Sequence, residues 1–175
     1  MSPSATDPAP EPVPQPGTGV VEAIHIAPAA RAPMVALERA RAIALVGLEG
    51  DRYAARTGYW SPNPGEDRSI TLIEAEEIER LADTAGIRLR PGETRRNVTT
   101  RGIRLNELVG RRFRIGGVEC LATRLCEPCQ YLTDLLGQPV LRPLVHRAGL
   151  RARILTNGEI AVGDEIAVLG DTVAG

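Results

Sequence analysis

The run Arg112-Phe113-Arg114-Ile115-Gly116-Gly117-Val118-Glu119-Cys120-Leu121-Ala122-Thr123-Arg124-Leu125 decides the fold class. Two β-like segments, 112–115 and 118–125, flank a glycine pair, and Ile115-Gly116-Gly117-Val118 reads as a hairpin turn. Working outward, similar short runs recur between turn residues. Residues 20–26 mix β-branched residues with alternation, 97–100 is another β-like run, and 151–155 and 165–169 flank a turn at Asn157-Gly158. One stretch departs from this pattern. After a strand over 69–73, Ala75, Ile78, Leu81, Ala82 and Ala85 share a helical face. Glu74, Glu76 and Glu77 oppose the positive end of that helix, and Gly86 suits its C-terminal cap. Short glycine-bounded strands with few helices predict a mainly β fold, a barrel or a sandwich.

A chain of 175 residues fits one domain. Residues 1–18, rich in Pro and Ala, read as a disordered tail, 19–170 as the domain, and 171–175 as a flexible end. A net charge of -1 and a pI near 6.2 give no basic field for a general nucleic-acid binder. All 21 basic residues are Arg. Without Lys, neither a pyridoxal phosphate Schiff base nor a Walker-type phosphate loop is possible in this chain. No apolar run reaches the roughly 18–20 residues that span a bilayer, and no signal pattern opens the chain, so a cytoplasmic protein free of membrane is expected. Cys120, Cys126 and Cys129 are too few and too clustered for a disulfide framework, which leaves reduced thiols.

Cys126-Glu127-Pro128-Cys129 follows the hairpin directly. Zinc needs about four ligands, and only Cys120, His25 and His146 remain as further Cys or His candidates. A thioredoxin-like redox pair belongs in a βαβ setting that is missing from this pattern. The third reading is one activated thiol. A helix over 128–136 opened by Pro128 puts Cys129 in its first turn, where free N–H groups and the dipole favour a thiolate. The alternative is a packed thiol on the face shared with Leu132 and Leu136. For Cys120, inside a strand, packing is the reading, and Cys126 falls between.

Cationic groups stand elsewhere in the sequence. Asp51-Arg52 follows the tight turn Gly47-Leu48-Glu49-Gly50 and is either an anion site or a surface ion pair. Arg95-Arg96-Asn97 is an anion and hydrogen-bonding cluster or a solvated edge. His146 is an acid-base residue or a structural one. Residues 53–68 hold Tyr53, Tyr59 and Trp60 among Gly and Pro with no sustained period, the mark of a lid or binding loop.

Taken in order, these stretches resemble the MOSC family, named for the C-terminal domain of molybdenum cofactor sulfurases. The matching residues are Gly47 to Arg52, Arg96-Asn97, Gly110 with Gly116, Glu127-Pro128-Cys129, and the closing run from Ala152 through Gly158-Glu159-Ile160 to Ile166. The resemblance implies a distorted β-barrel with one long amphipathic helix and a few short peripheral ones. It implies that Cys129 carries persulfide sulfur or ligates molybdenum of a pterin cofactor. Asp51, Arg52, Arg96, Asn97 and Trp60 would bind the ligand, and Cys126 would assist catalysis. With no desulfurase domain in the sequence, sulfur would come from a cysteine desulfurase and pass to a molybdoenzyme or small acceptor. Three functions follow: a sulfur carrier or transferase, a molybdenum-pterin oxidoreductase reducing N-hydroxylated compounds, and a non-catalytic small-molecule-binding barrel.

Overall fold

The barrel closes because the first and last strands of the chain pair with each other. The computed structural model describes residues 17–59 and 69–170. Its strands are β1 (Thr18–Ile26), β2 (Val35–Leu37), β3 (Arg39–Ile43), β4 (Gly47–Leu48), β5 (Ile70–Glu74), β6 (Val98–Arg101), β7 (Arg112–Ile115), β8 (Val118–Leu125), β9 (Leu150–Ile154), β10 (Gly158–Ala161) and β11 (Glu165–Val168). The helices are α1 (Ala75–Ala85) and α2 (Gln130–Leu136), with a 3-10 turn at Leu105–Leu108. Strand order β11-β7-β8-β9-β5-β6-β1, with β1 paired back to β11, makes a closed seven-stranded barrel. β2 extends the sheet beside β1, and β10, β3 and β4 form a separate three-stranded sheet. Closure removes the exposed strand edges that would otherwise invite pairing with other chains.

The period of two in β7 and β8 fixes which side chains enter the barrel. Phe113, Ile115, Val118, Cys120 and Ala122 are buried, while Arg112 and Arg124 face outward. They join Ile24, Leu72, Val98, Leu150 and Ile166 in one core. β1 carries an irregularity between Val21 and Ala23 where its register on β6 shifts, the usual device for bending a strand around a barrel.

β5 and β6 are paired in parallel, which demands a crossover, and α1 supplies it. The helix buries Ala75, Glu77, Ile78 and Leu81 and ends at Gly86 in the left-handed conformation, as its sequence pattern predicts. Leu81 and Ile87 pack with Leu132 of α2 and with Val140, Leu144 and Ala148 in a smaller second core, against which Cys129 lies partly buried. The first strand opens at Thr18, which is paired to Ala167. The expected tail up to residue 16, the loop segment 60–68 and the end 171–175 lie outside the described residues.

Gly149 shows how tightly these layers meet. Its φ is 107°, and a Cβ there would stand 1.9 Å from the Leu72 carbonyl oxygen. Only glycine lets the chain entering β9 pass the backbone of β5 at this point.

Candidate functional site

Cys126 continues the extended path of β8, its N–H donating to the Gly149 carbonyl at 2.8 Å. The chain stays free of turns and bends through Cys129, which has φ -138° and ψ 165° and caps α2 instead of lying inside it. This corrects the expected helix start at Pro128. The Cys129 carbonyl accepts from Leu132 and Thr133 N–H groups at 3.1 and 3.2 Å, so the first helical bonds close on it while the residue itself stays outside the helix. The physical cause is the strand: the backbone of residue 126 is still held in sheet-like bonding, so the helix has to start later. A helix of seven residues with a Cys at its cap does not reproduce the first-turn environment expected for Cys129.

Cys129 is half-buried and opens on a narrow cleft that encloses about 50 Å³. Cys126, Arg52, Arg95, Arg96 and Arg151 line the same cleft. Tyr59 and Tyr131 stack at its wall with ring centroids 4.1 Å apart and planes 12° apart. The Tyr131 hydroxyl accepts from the Arg31 N–H at 3.1 Å, which ties α2 to the connection between β1 and β2.

The guanidiniums differ in how much of their donor capacity the protein uses. Arg96 donates to the carbonyls of Ala148 at 2.8 Å, Thr94 at 3.2 Å and Cys126 at 3.2 Å. Arg52 donates to Asp51 Oδ1 at 3.0 Å and to the Arg95 carbonyl at 2.9 Å, and sits 4.6 Å from the centroid of the Tyr53 ring. Arg95 is different. It is 7% exposed, its backbone is left-handed at φ 65°, and its Nη1 donates to the Ala32 carbonyl. Its Nε and Nη2 are buried and have no partner. Burial and the adjacent Arg52 charge hold its pKa below the ordinary arginine value.

Two expected ligand-binding residues serve the frame. Asp51 is fully buried, accepts from the Ala27 N–H at 3.1 Å and the Tyr53 N–H at 3.3 Å, and joins the end of β1 to the turn after β4. Asn97 is also fully buried. Its Oδ1 accepts from Thr71 N–H and Oγ1, both at 3.1 Å, and its Nδ2 donates to the His25 carbonyl at 3.2 Å, so it braces β5 against β1. Neither lines the cleft, whereas Arg52 and Arg96 do. Trp60 lies outside the described residues. Glu127 holds His146 twice, through Nδ1 and through the backbone N–H, each at 2.9 Å. Cys120 is sealed in the barrel core, where burial pushes its thiol up to about 12.

Arg151 and Tyr131 escaped the sequence reading, since a lone Arg in an alternating strand and a Tyr in a short helix carry no local signal. Arg151 is visible only through register: it sits on β9 opposite Thr71 of β5, which brings it to the cleft.

A closed β-barrel with a half-buried thiol at an arginine-lined cleft defines the class. The chain belongs to the MOSC domain family, whose model matches residues 61–167. Solved structures agree on the fold. YuaD from Bacillus subtilis superposes with a TM-score of 0.72 at 22% identity, covering 86% of this chain and 95% of that one. YiiM from Geobacillus stearothermophilus gives 0.68 at 15% identity over 90% and 77% of the two chains. YiiM from Escherichia coli gives 0.62 at 15% identity over 89% and 70%. No curated protein matches the sequence significantly.

The family is associated with the molybdenum cofactor, and the donor set here meets that group only in part. Cys129 is a soft ligand of the right kind, and the open donors of Arg95 suit an anionic group. Among the described residues no group of three or more His, Cys, Asp or Glu side chains could hold a metal, so an ion would have to arrive with its own ligands. A cleft of about 50 Å³ is far below the roughly 300–1,000 Å³ of sites for ligands of that size.

Proposed function

We propose that this protein is a sulfur carrier or transferase in which Cys129 takes up sulfane sulfur and passes it to a metal centre or small acceptor. One observation carries the reading: a half-buried thiol opens on a small cleft lined by four arginines. A persulfide is a short, soft anion, and a confined cationic cleft suits it better than it suits a bulky cofactor. In the loading step the Cys129 sulfur attacks the outer sulfur of a donor persulfide. One S–S bond forms, the donor's S–S bond breaks, and the donor departs as its thiol, with no net redox change. Arg96 acts as a positioning residue, because it holds the Cys126 carbonyl and thereby the segment that delivers Cys129. A cysteine desulfurase is the donor the chemistry calls for, and a molybdoenzyme or small molecule the acceptor. Three free cysteines suit a reducing, cytoplasmic setting.

The test is mass spectrometry of the intact protein after incubation with a cysteine desulfurase and cysteine. Wild type gains the mass of one sulfur and Cys129→Ala gains none, whereas Cys126→Ala still loads. Loading that survives in Cys129→Ala overturns the assignment. Molybdenum co-purifying in stoichiometric amount from a cofactor-competent host would favour the molybdenum-pterin oxidoreductase, and would require the cleft to open widely.

A further inference from the structure

Arg95 also walls a second space, a groove of about 460 Å³ between α2, the connection from β1 to β2, and the turn over residues 90–95. We propose that this groove binds a small organic carboxylate, with the carboxylate on Arg95 and an apolar body along α2.

The vacant donors of Arg95 select the ligand chemistry. With Nη1 occupied by the Ala32 carbonyl, the two donors left over are Nε and Nη2. These form one edge of the planar guanidinium, the edge whose parallel N–H groups match the two oxygens of a carboxylate. Both atoms are shut off from solvent. A buried charged donor left without an acceptor is costly, so a matching acceptor is favoured before any other contact is made. Asp51, whose charge acts on Arg95, is taken by Arg52.

The rest of the groove fits the same ligand. Arg31 also lines it, is exposed, and makes no ion pair among the described residues, whereas the only carboxylate present, Glu93, is paired with Arg90. The groove therefore carries uncompensated positive charge. His25 is 8% exposed, with its Nδ1 buried and unpartnered, and burial keeps its pKa below the ordinary value, so it adds a neutral polar edge. Gly92 leaves room for that ring: a Cβ there would stand 2.6 Å from His25 Cδ2. Leu135 and Leu136 supply the apolar wall. Arg31 and Met34, unbranched side chains with rotatable bonds to spare, line the groove together with Arg95.

Binding is measured by NMR on the full chain, following the Arg95 Nε–H and His25 ring signals during titration with benzoate, with benzamide as the neutral isostere. Benzoate is expected to shift both signals saturably and benzamide to leave them in place. Ala36→Trp, an exposed position on the groove, should plug it and weaken benzoate at least about tenfold, equivalent to about 1.4 kcal/mol. Arg95→Lys, which keeps charge but loses the fork, should weaken it similarly. Equal shifts with benzamide, no saturation with benzoate, or undiminished binding in Ala36→Trp overturns the proposal. The site does not depend on sulfur chemistry: the same titration is expected in Cys129→Ser, so failure of persulfide loading and failure of carboxylate binding are read separately.

Discussion

The guanidinium of Arg96 donates to the carbonyl of Cys126 at 3.2 Å while also holding Ala148 and Thr94, so one buried side chain fastens the segment that delivers Cys129. Arg96→Met removes all three donors and leaves buried carbonyls unpaired. A loss of roughly 3 kcal/mol or more is expected, read as a lower denaturation midpoint in urea, together with slower persulfide loading at Cys129. Stability equal to wild type would mean that Arg96 does not fasten this segment.

Asp51 and Arg52 form a buried ion pair at 3.0 Å. Asp51→Ala strands the Arg52 charge and frees the Ala27 and Tyr53 N–H groups, and is expected to cost about 3–5 kcal/mol. Calorimetric unfolding checks it. A melting temperature within a degree or two of wild type would contradict the ion pair as drawn.

The three thiols should rank by burial in alkylation. Cys129 reacts first with iodoacetamide in the native protein, Cys126 more slowly, and Cys120 only after unfolding, because its thiol is pushed up to about 12 in the core. Peptide mapping of a time course shows the order. No Cys126–Cys129 disulfide is expected either, since the chain runs without a turn from Cys126 to the extended Cys129 and separates the two Cα atoms.

His25 gives the fold an acid-sensitive point. Its folded pKa lies below the ordinary 6.5 because burial disfavours the cation. The unfolded chain therefore binds the proton more readily, so the stability contributed by neutral His25 is complete above pH 6.5 and lost as pH falls through the folded value. Melting temperatures taken from pH 7.5 downward should fall more steeply for wild type than for His25→Phe. Parallel curves would show that His25 is not the group responsible.

Gly149→Ala should fail to fold or should lose several kcal/mol, since its Cβ would clash with the Leu72 carbonyl in a backbone conformation that L-residues avoid. Circular dichroism of the purified variant is sufficient to decide. A native-like melt would show that β9 and β5 can separate locally.

Much of the barrel was legible because its determinants are local. The glycine pair between 112–115 and 118–125 marked a hairpin, Cys120 was read as packed in its strand, and Gly86 marked the end of α1. The two-residue error at the start of α2 arose because proline at 128 is compatible with a helix and with an extended segment alike, and the deciding bond, Cys126 N–H to Gly149, spans 23 residues. The cleft was legible by residue type more than by role. Arg52, Arg96, Cys126 and Cys129 do converge on it, but whether a buried Asp or Asn faces a ligand or braces a strand depends on partners far away in sequence. Asp51 and Asn97 proved to be braces, and the donor left open was Arg95, which local sequence cannot distinguish from its neighbour Arg96.

The seam between β1 and β11 sets Thr18 opposite Ala167, with the Val168 N–H donating to the Gly17 carbonyl at 3.1 Å. Entry to and exit from the domain are thus side by side. A short linker from residue 170 back to residue 17 could join them into a ring, and the ring could be recut at the β7–β8 hairpin. The connectivity of this barrel is thus a matter of where the polypeptide happens to be opened, while the contacts that build it are indifferent to that choice.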